Sequence, residues 1–196
     1  MDPLIIGALI VLFIVIIIAV AASGGITSEV QIKAAGRRGE WAATERIKRV
    51  LRKGDTLLTN VSISFEGRPA ELDNVIVNEF GIFIIEVKYY SGRLSGSEDD
   101  YEWRKVHISD AGNPYFKQVK NPIKQVKREV YILAKYLDQN GLSVWVEGYA
   151  MIIGASSPVR SSYILSSACA IDKAIHTKGK RMLRPDTVDK VIDLLS

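Results

Sequence analysis

From Leu4 to Ala22 the sequence holds one residue outside the apolar set, Gly7, and no charge occurs between Asp2 and Glu29. At about 1.5 Å of rise per residue, a helical run of this length spans roughly the 30 Å hydrocarbon core of a bilayer. A helix that is apolar all round needs lipid, or a large protein, around it. The segment 4–22 is therefore expected to be a transmembrane helix. Two alternatives stand beside it. Ala19-Val20-Ala21 has the small-x-small pattern of a signal-peptide cleavage site, although Met1-Asp2-Pro3 lacks a basic residue and the apolar run is long for a signal peptide. A buried core helix is the other. No Lys or Arg precedes the segment, while Lys33, Arg37 and Arg38 follow it. The positive-inside rule then gives a single-pass protein of the cell membrane, N-terminus outside and the remainder cytoplasmic. Residues 23–35, with Ser23-Gly24-Gly25-Ile26-Thr27-Ser28, read as a juxtamembrane linker. Residues 36–196 are long enough for one domain.

Composition supports this division. The mean hydropathy of +0.10 comes from the N-terminal run; without it the apolar share falls from 47% to roughly 42%, ordinary for a globular domain. A multi-span transporter, a disordered chain and a disulfide scaffold are excluded. Cys169, the single cysteine, reads as a small buried hydrophobe.

The periodicities predict a mixed α/β domain. Ala35 to Lys53 carries a helical stripe of Ala43, Ile47, Val50 and Leu51. Glu40 falls on that apolar face, a costly position unless the acid complements the helix start or serves a site. Thr56 to Phe65 alternates, with Leu57, Val61, Ile63 and Phe65 to one side; Ala70–Val77 and Ile82–Tyr89 read as two further strands. Asn121-Pro122 suits a helix start, with Val126, Val130, Leu133 and Leu137 inward and Asn140-Gly141 as its end. A strand over Val144–Ile153 and a helix from about Pro185 to Leu195 follow. Helix, strands, helix, strand, helix implies a mixed, partly antiparallel sheet flanked by helices.

The second and third strands carry the chemistry. With Asn78-Glu79-Phe80-Gly81 as a four-residue loop, Val77 faces Ile82, Asp73 lies opposite Glu86 and Glu71 opposite Lys88. Alternation puts Glu86 and Lys88 on one face, and cross-strand partners share a face. Asp73, Glu86, Lys88 and Glu71 then converge at the end of the hairpin away from its loop. Two facing carboxylates repel unless a cation sits between them, and a hard divalent ion, Mg²⁺ or Mn²⁺, suits oxygen ligands. A nearby Lys can position water or stabilise charge on a phosphate. The alternative is a cross-strand charge cluster on an edge strand.

The runs Glu71-Leu72-Asp73-Asn74-Val75-Ile76-Val77 and Gly81-Ile82-Phe83-Ile84-Ile85-Glu86-Val87-Lys88, then Gly92, resemble the nuclease-related domain (NERD) family of the PD-(D/E)XK nuclease superfamily. Gly39-Glu40 and Asn121-Pro122-x-x-Gln125 are similar to its flanking motifs, so the resemblance covers roughly Gly36 to Leu137. It implies a restriction-endonuclease-like core and metal-dependent hydrolysis of nucleic-acid phosphodiesters. Asp73 and Glu86 would be metal ligands, with the Val87 carbonyl as a third. Lys88 would help activate water, Glu40 would project toward the site, and Gln125 would support it. The residue after Asp73 is often His in that family and is Asn74 here. Nucleases with a Gln-x-x-x-Tyr element would want Tyr at 129, where this chain has Glu129.

The expected partners are nucleic acid, DNA ahead of RNA, and the membrane through the N-terminal helix. Outside the run, 26 basic and 21 acidic residues leave +5, which suits nucleic acid and anionic lipid equally. Trp103 beside Arg104 and Lys105 is expected in the core, with base stacking as the alternative. His107 and His176 are expected on the surface, with no zinc cluster near either. Two other function classes compete with the nuclease: a non-catalytic, membrane-tethered interaction module on the same fold, and a lipid-facing scaffold.

Overall fold

The structure, a computed structural model, describes residues 12–15, 34, 36–108, 112–156, 159–177 and 182–196. The chain divides into two compact units, Met1–Arg38 and Gly39–Ser196. In the first, residues 12–15 are helical and their side chains are exposed. The expected span 4–22 otherwise lies outside the described residues, among which no helix is long and apolar enough to cross a membrane.

The second unit is a mixed α/β domain. Its helical residues 39–48 (α1) precede β1 (Thr56–Phe65), β2 (Arg68–Asn78), β3 (Gly81–Ser95), β4 (Glu102–Ile108) and β5 (Pro114–Lys120). Then come α2 (Pro122–Gln139), β6 (Val146–Ser156), α3 (Ala168–His176) and α4 (Pro185–Leu195). The sheet runs β1-β2-β3-β4-β5 with antiparallel neighbours, and β6 joins β3 in parallel.

β3 lies at the centre and is covered on both faces, which explains its unbroken apolar start, Ile82-Phe83-Ile84-Ile85. On one face Ile82 and Ile84 pack with Ile132, Leu133 and Leu137 of α2 and Val191 and Leu195 of α4. On the other, Phe83, Ile85 and Val87 meet Ala43 and Ile47 of α1 and Ile171 and Ile175 of α3. A third cluster, Leu94, Trp103, Ile123 and Val159, roots the β4–β5 hairpin. Trp103 is fully buried there and its indole N–H donates to the Ser97 carbonyl, so it is a core residue.

The expected register of the β2–β3 hairpin holds, with Val77 opposite Ile82 and Val75 opposite Ile84. Its turn is tighter than predicted: Asn78 pairs with Gly81, leaving Glu79-Phe80 between them. β1 departs from simple alternation. Leu57 packs on the α1 side, whereas Val61 and Ile63 pack on the α2 side. Asn60, at φ 54°, lies between them and turns the strand over.

Two further expectations are corrected. Cys169 is exposed, because it sits at the start of α3 rather than on its buried stripe. His176 is not a surface residue: its ring is 3% exposed and lies between Asp172 Oδ1 at 2.8 Å and Asp55 Oδ2 at 2.9 Å. Both ring nitrogens face carboxylates, which ties the end of α3 to the segment before β1.

Candidate active site

One edge of β3 is divided between two neighbours. β2 pairs with it from Gly81 to Ile84, and β4 from Arg93 to Ser95; β6 runs along the opposite edge from Ile82 to Arg93. Between Ile84 and Arg93 the first edge has no strand beside it among the described residues. Two side chains of β2 take over the missing backbone bonds. Asn74 Nδ2 donates to the Ile85 carbonyl at 3.3 Å, and Asp73 Oδ2 accepts the Val87 N–H at 2.7 Å. The other end of Asn74 accepts a bond from Thr44 Oγ1 of α1 at 2.9 Å, which fixes its orientation. In a strand the N–H and C=O of one residue address the same neighbour. The Val87 carbonyl therefore faces the gap that Asp73 enters.

Glu86 and Lys88 follow Ile84 on the α2 face by alternation. α2 is aimed by its cap: the Asn121 side chain accepts the Ile123 N–H, and its amide donates to the carbonyls of Glu98 and Asp100. One turn in, Gln125 Nε2 donates to Glu86 Oε1 at 2.6 Å and to Glu129 Oε1 at 2.8 Å. The Lys88 ammonium pairs with the same Glu86 oxygen. Asp73, Glu86, Lys88 and Gln125 are thus brought together as the sequence predicts, with Glu129 as a fifth member.

Burial sets the electrostatics. Glu86 is 2% exposed; its carboxyl is pushed up to about 7, first by burial and then by the charge of Asp73, against the pull of Lys88. Asp73 is also raised, by burial, although the Val87 N–H and Lys88 oppose the shift. Glu129 is pushed up to about 8 by burial and then by Glu86. Desolvation works against the Lys88 ammonium, but the charge and hydrogen bond of Glu86, with Asp73, outweigh it and hold Lys88 above the usual lysine range. The pocket therefore carries more acid than it can ionise at once.

This donor set fits a hard divalent cation. Carboxylates of Asp73 and Glu86 and the Val87 carbonyl are all oxygen donors. Glu86 Oε2 and Glu129 Oε2 are buried and have no hydrogen-bond partner among the described residues, a cost that a retained proton or a bound cation relieves.

Two predicted participants sit differently. Glu71 is exposed on β2, and its charge is the last of the influences that raise Asp73. Glu40 is exposed rather than on the buried face of α1, because the buried stripe runs Gly39, Ala43, Ile47, one position earlier. Gly39 packs on Tyr89, where an added Cβ would lie 3.0 Å from the ring, so α1 crosses β3 beside Lys88 but on the opposite face of the sheet.

Residues 35–153 match the nuclease-related domain family, NERD, and contain every residue of this cluster. The chain belongs to the NERD family. It also resembles an uncharacterized protein of Bacillus anthracis, with 28% identity over 90 residues, which is 44% of this chain and 42% of that relative. The chain thus spans under half the length of the curated relative it matches. No solved structure matches.

Glu129 is the residue that sequence reasoning undervalued, as a departure from Tyr. The signal was present: it lies three residues after Val126 and four before Leu133, on the buried stripe of α2. An acid on that stripe, one turn from Gln125, needs a polar partner inside.

Proposed function

We propose that this NERD domain is a metal-dependent nuclease with a PD-(D/E)XK core, hydrolysing phosphodiester bonds of nucleic acid at the Asp73/Glu86/Lys88 cluster. The observation that carries the reading is the gap in the β3 edge, where Asp73, the Val87 carbonyl and Glu86 meet beside a paired lysine. Asp73, Glu86 and the Val87 carbonyl would hold Mg²⁺ or Mn²⁺. When bound, the ion would polarise the phosphate and lower the pKa of a water molecule. Glu86 aligns Lys88 through their ion pair. Lys88, kept cationic by both carboxylates, orients the attacking water and stabilises charge on the phosphate oxygens. Gln125 fixes the Glu86 rotamer, and Glu129 holds the second N–H of Gln125, so the amide cannot turn away. Glu40, exposed on α1, is assigned to the solvent side of the domain and not to the bond-breaking step. DNA is the substrate we place ahead of RNA.

We further propose that residues 4–22 anchor the protein in the cell membrane with the NERD domain in the cytoplasm. Protease added to intact cells should leave the domain uncut and should digest it after lysis; digestion in intact cells would reverse the topology.

The nuclease reading is tested with the full chain on single- and double-stranded DNA and RNA in Mg²⁺, Mn²⁺ or chelator, beside Asp73→Ala. Cleavage that needs metal and Asp73 supports it. If no substrate is cut and calorimetry detects no metal binding, a non-catalytic interaction module takes its place.

A further inference from the structure

The β4–β5 hairpin continues the face on which the cluster lies. Glu86, Lys88 and Tyr90 share one side of β3, and the Tyr90 hydroxyl feels the charges of both Lys88 and Glu86. Lys105 of β4 lies over the Tyr90 ring, its ammonium 5.7 Å from the centroid. Directly across the ladder from Lys105 is Lys117 of β5. The next same-face pair outward is His107 opposite Tyr115, whose rings are stacked with centroids 5.0 Å apart and planes 13° from parallel. Inward, the same face ends in buried Trp103 opposite half-buried Val119, packed with Ile123.

Two lysines facing each other across an antiparallel pair are destabilising by themselves. Among the described residues of the two strands, no acid shares their face; from Trp103 to Lys120 the sequence has a single acid, Asp110, outside the described residues. The nearest other acid on these strands, Glu102, lies opposite Lys120 on the reverse face. Lys105 is held below the usual lysine range by burial and by Lys117, and His107 is lowered by burial, Lys105 and Lys117. Tyr115, stacked on His107, is half exposed.

We propose that this face of the β4–β5 hairpin binds a single-stranded nucleic-acid segment, with Lys105 and Lys117 clamping one phosphate and Tyr115 stacking on an adjacent base, and so delivers the strand past Tyr90 to Lys88. The clamp answers the uncompensated charge, and aromatic faces alternating with cations are what an unpaired strand requires. A duplex buries its base faces and offers Tyr115 nothing to stack on. The inference rests on the nuclease reading for its direction toward Lys88, but binding alone does not depend on turnover.

The test is fluorescence anisotropy of the full chain, in mild detergent and chelator, with a labelled mixed-sequence 12-mer, single-stranded and duplex. The expected result is single-strand binding at least tenfold tighter than duplex. Lys105→Gln/Lys117→Gln should weaken it by tenfold or more and make the slope of log affinity against log salt shallower by about 0.7, as expected for one lost phosphate contact. Tyr115→Ala should weaken it by about tenfold with the salt slope unchanged. Hydrogen exchange across β4 and β5 reports whether the hairpin stays folded, and a conservative Lys105→Arg/Lys117→Arg chain should bind as the parent does. Unchanged affinity and slope in a folded double-Gln chain overturn the proposal. So does lysine-dependent binding to phosphatidylglycerol vesicles without oligonucleotide binding. Hairpin-dependent binding in a chain that cuts nothing would refute the nuclease reading and leave this one standing.

Discussion

The carboxylate of Asp73 accepts the Val87 backbone N–H at 2.7 Å, where the carbonyl of a neighbouring strand would otherwise sit. The same side chain thus ends the β2–β3 ladder and supplies a donor to the cluster. These two roles separate on substitution. Asp73→Asn keeps an oxygen for the Val87 N–H and removes the charge, so the melting temperature should stay within a few degrees while cleavage falls at least about 100-fold. Asp73→Ala should lose cleavage and also about 1–3 kcal/mol of stability, because a buried N–H is left unpaired. Chemical denaturation of the two variants beside cleavage assays checks both.

Raised carboxyl groups make the metal-free fold sensitive to alkali. Glu86 and Glu129, near 4.5 when unfolded, rise to about 7 and about 8 in the fold. The folded state therefore holds protons that the unfolded chain releases. This stabilisation is complete below pH 4.5 and is lost as pH rises through 4.5 to 8. The melting temperature in chelator should fall across that window. Mn²⁺ competes with those protons, so its stabilising shift should grow from pH 5.5 to 8. A metal shift independent of pH would contradict this.

Glu129→Gln replaces an acid that is largely neutral at pH 7 with a neutral isostere. The unfolded chain releases the Glu129 proton above pH 4.5, so the variant should match the parent at pH 4 and be the more stable chain in chelator at pH 8. Thermal melts at the two pH values decide it.

Gly92 carries φ +90°, and a Cβ there would lie 2.3 Å from the Val106 carbonyl oxygen. Neither the backbone angle nor the ladder atom can yield cheaply. Gly92→Ala should cost at least about 2 kcal/mol and loosen the β3–β4 junction, read as faster hydrogen exchange in residues 92–106.

Much of this arrangement was legible in the sequence because it depends on short-range patterns. Alternation and a short loop gave the Val77–Ile82 register, and the Asn121-Pro122 cap located the start of α2 beside Gln125. What escaped was set by tertiary contacts. The strand ladder was expected to run on to Asp73, whereas it stops at Val75, since Asp73 and Asn74 bond β3 through their side chains. The burial of His176 depends on Asp55, 121 positions away, which no local pattern reports. β5 escaped because its burial is almost all exposed and it has no inward stripe. Glu40 was misplaced because a one-residue rotation of the α1 stripe decides between core and solvent.

The most direct test of the central claim is the single-turnover cleavage rate of Lys88→Met in saturating Mn²⁺, set against its metal affinity by calorimetry. Removing the ammonium frees Glu86 without touching an oxygen ligand. The account predicts metal affinity equal to or tighter than the parent's, with cleavage slower by about 100-fold or more. Cleavage at the parental rate in the metal-loaded variant would contradict it.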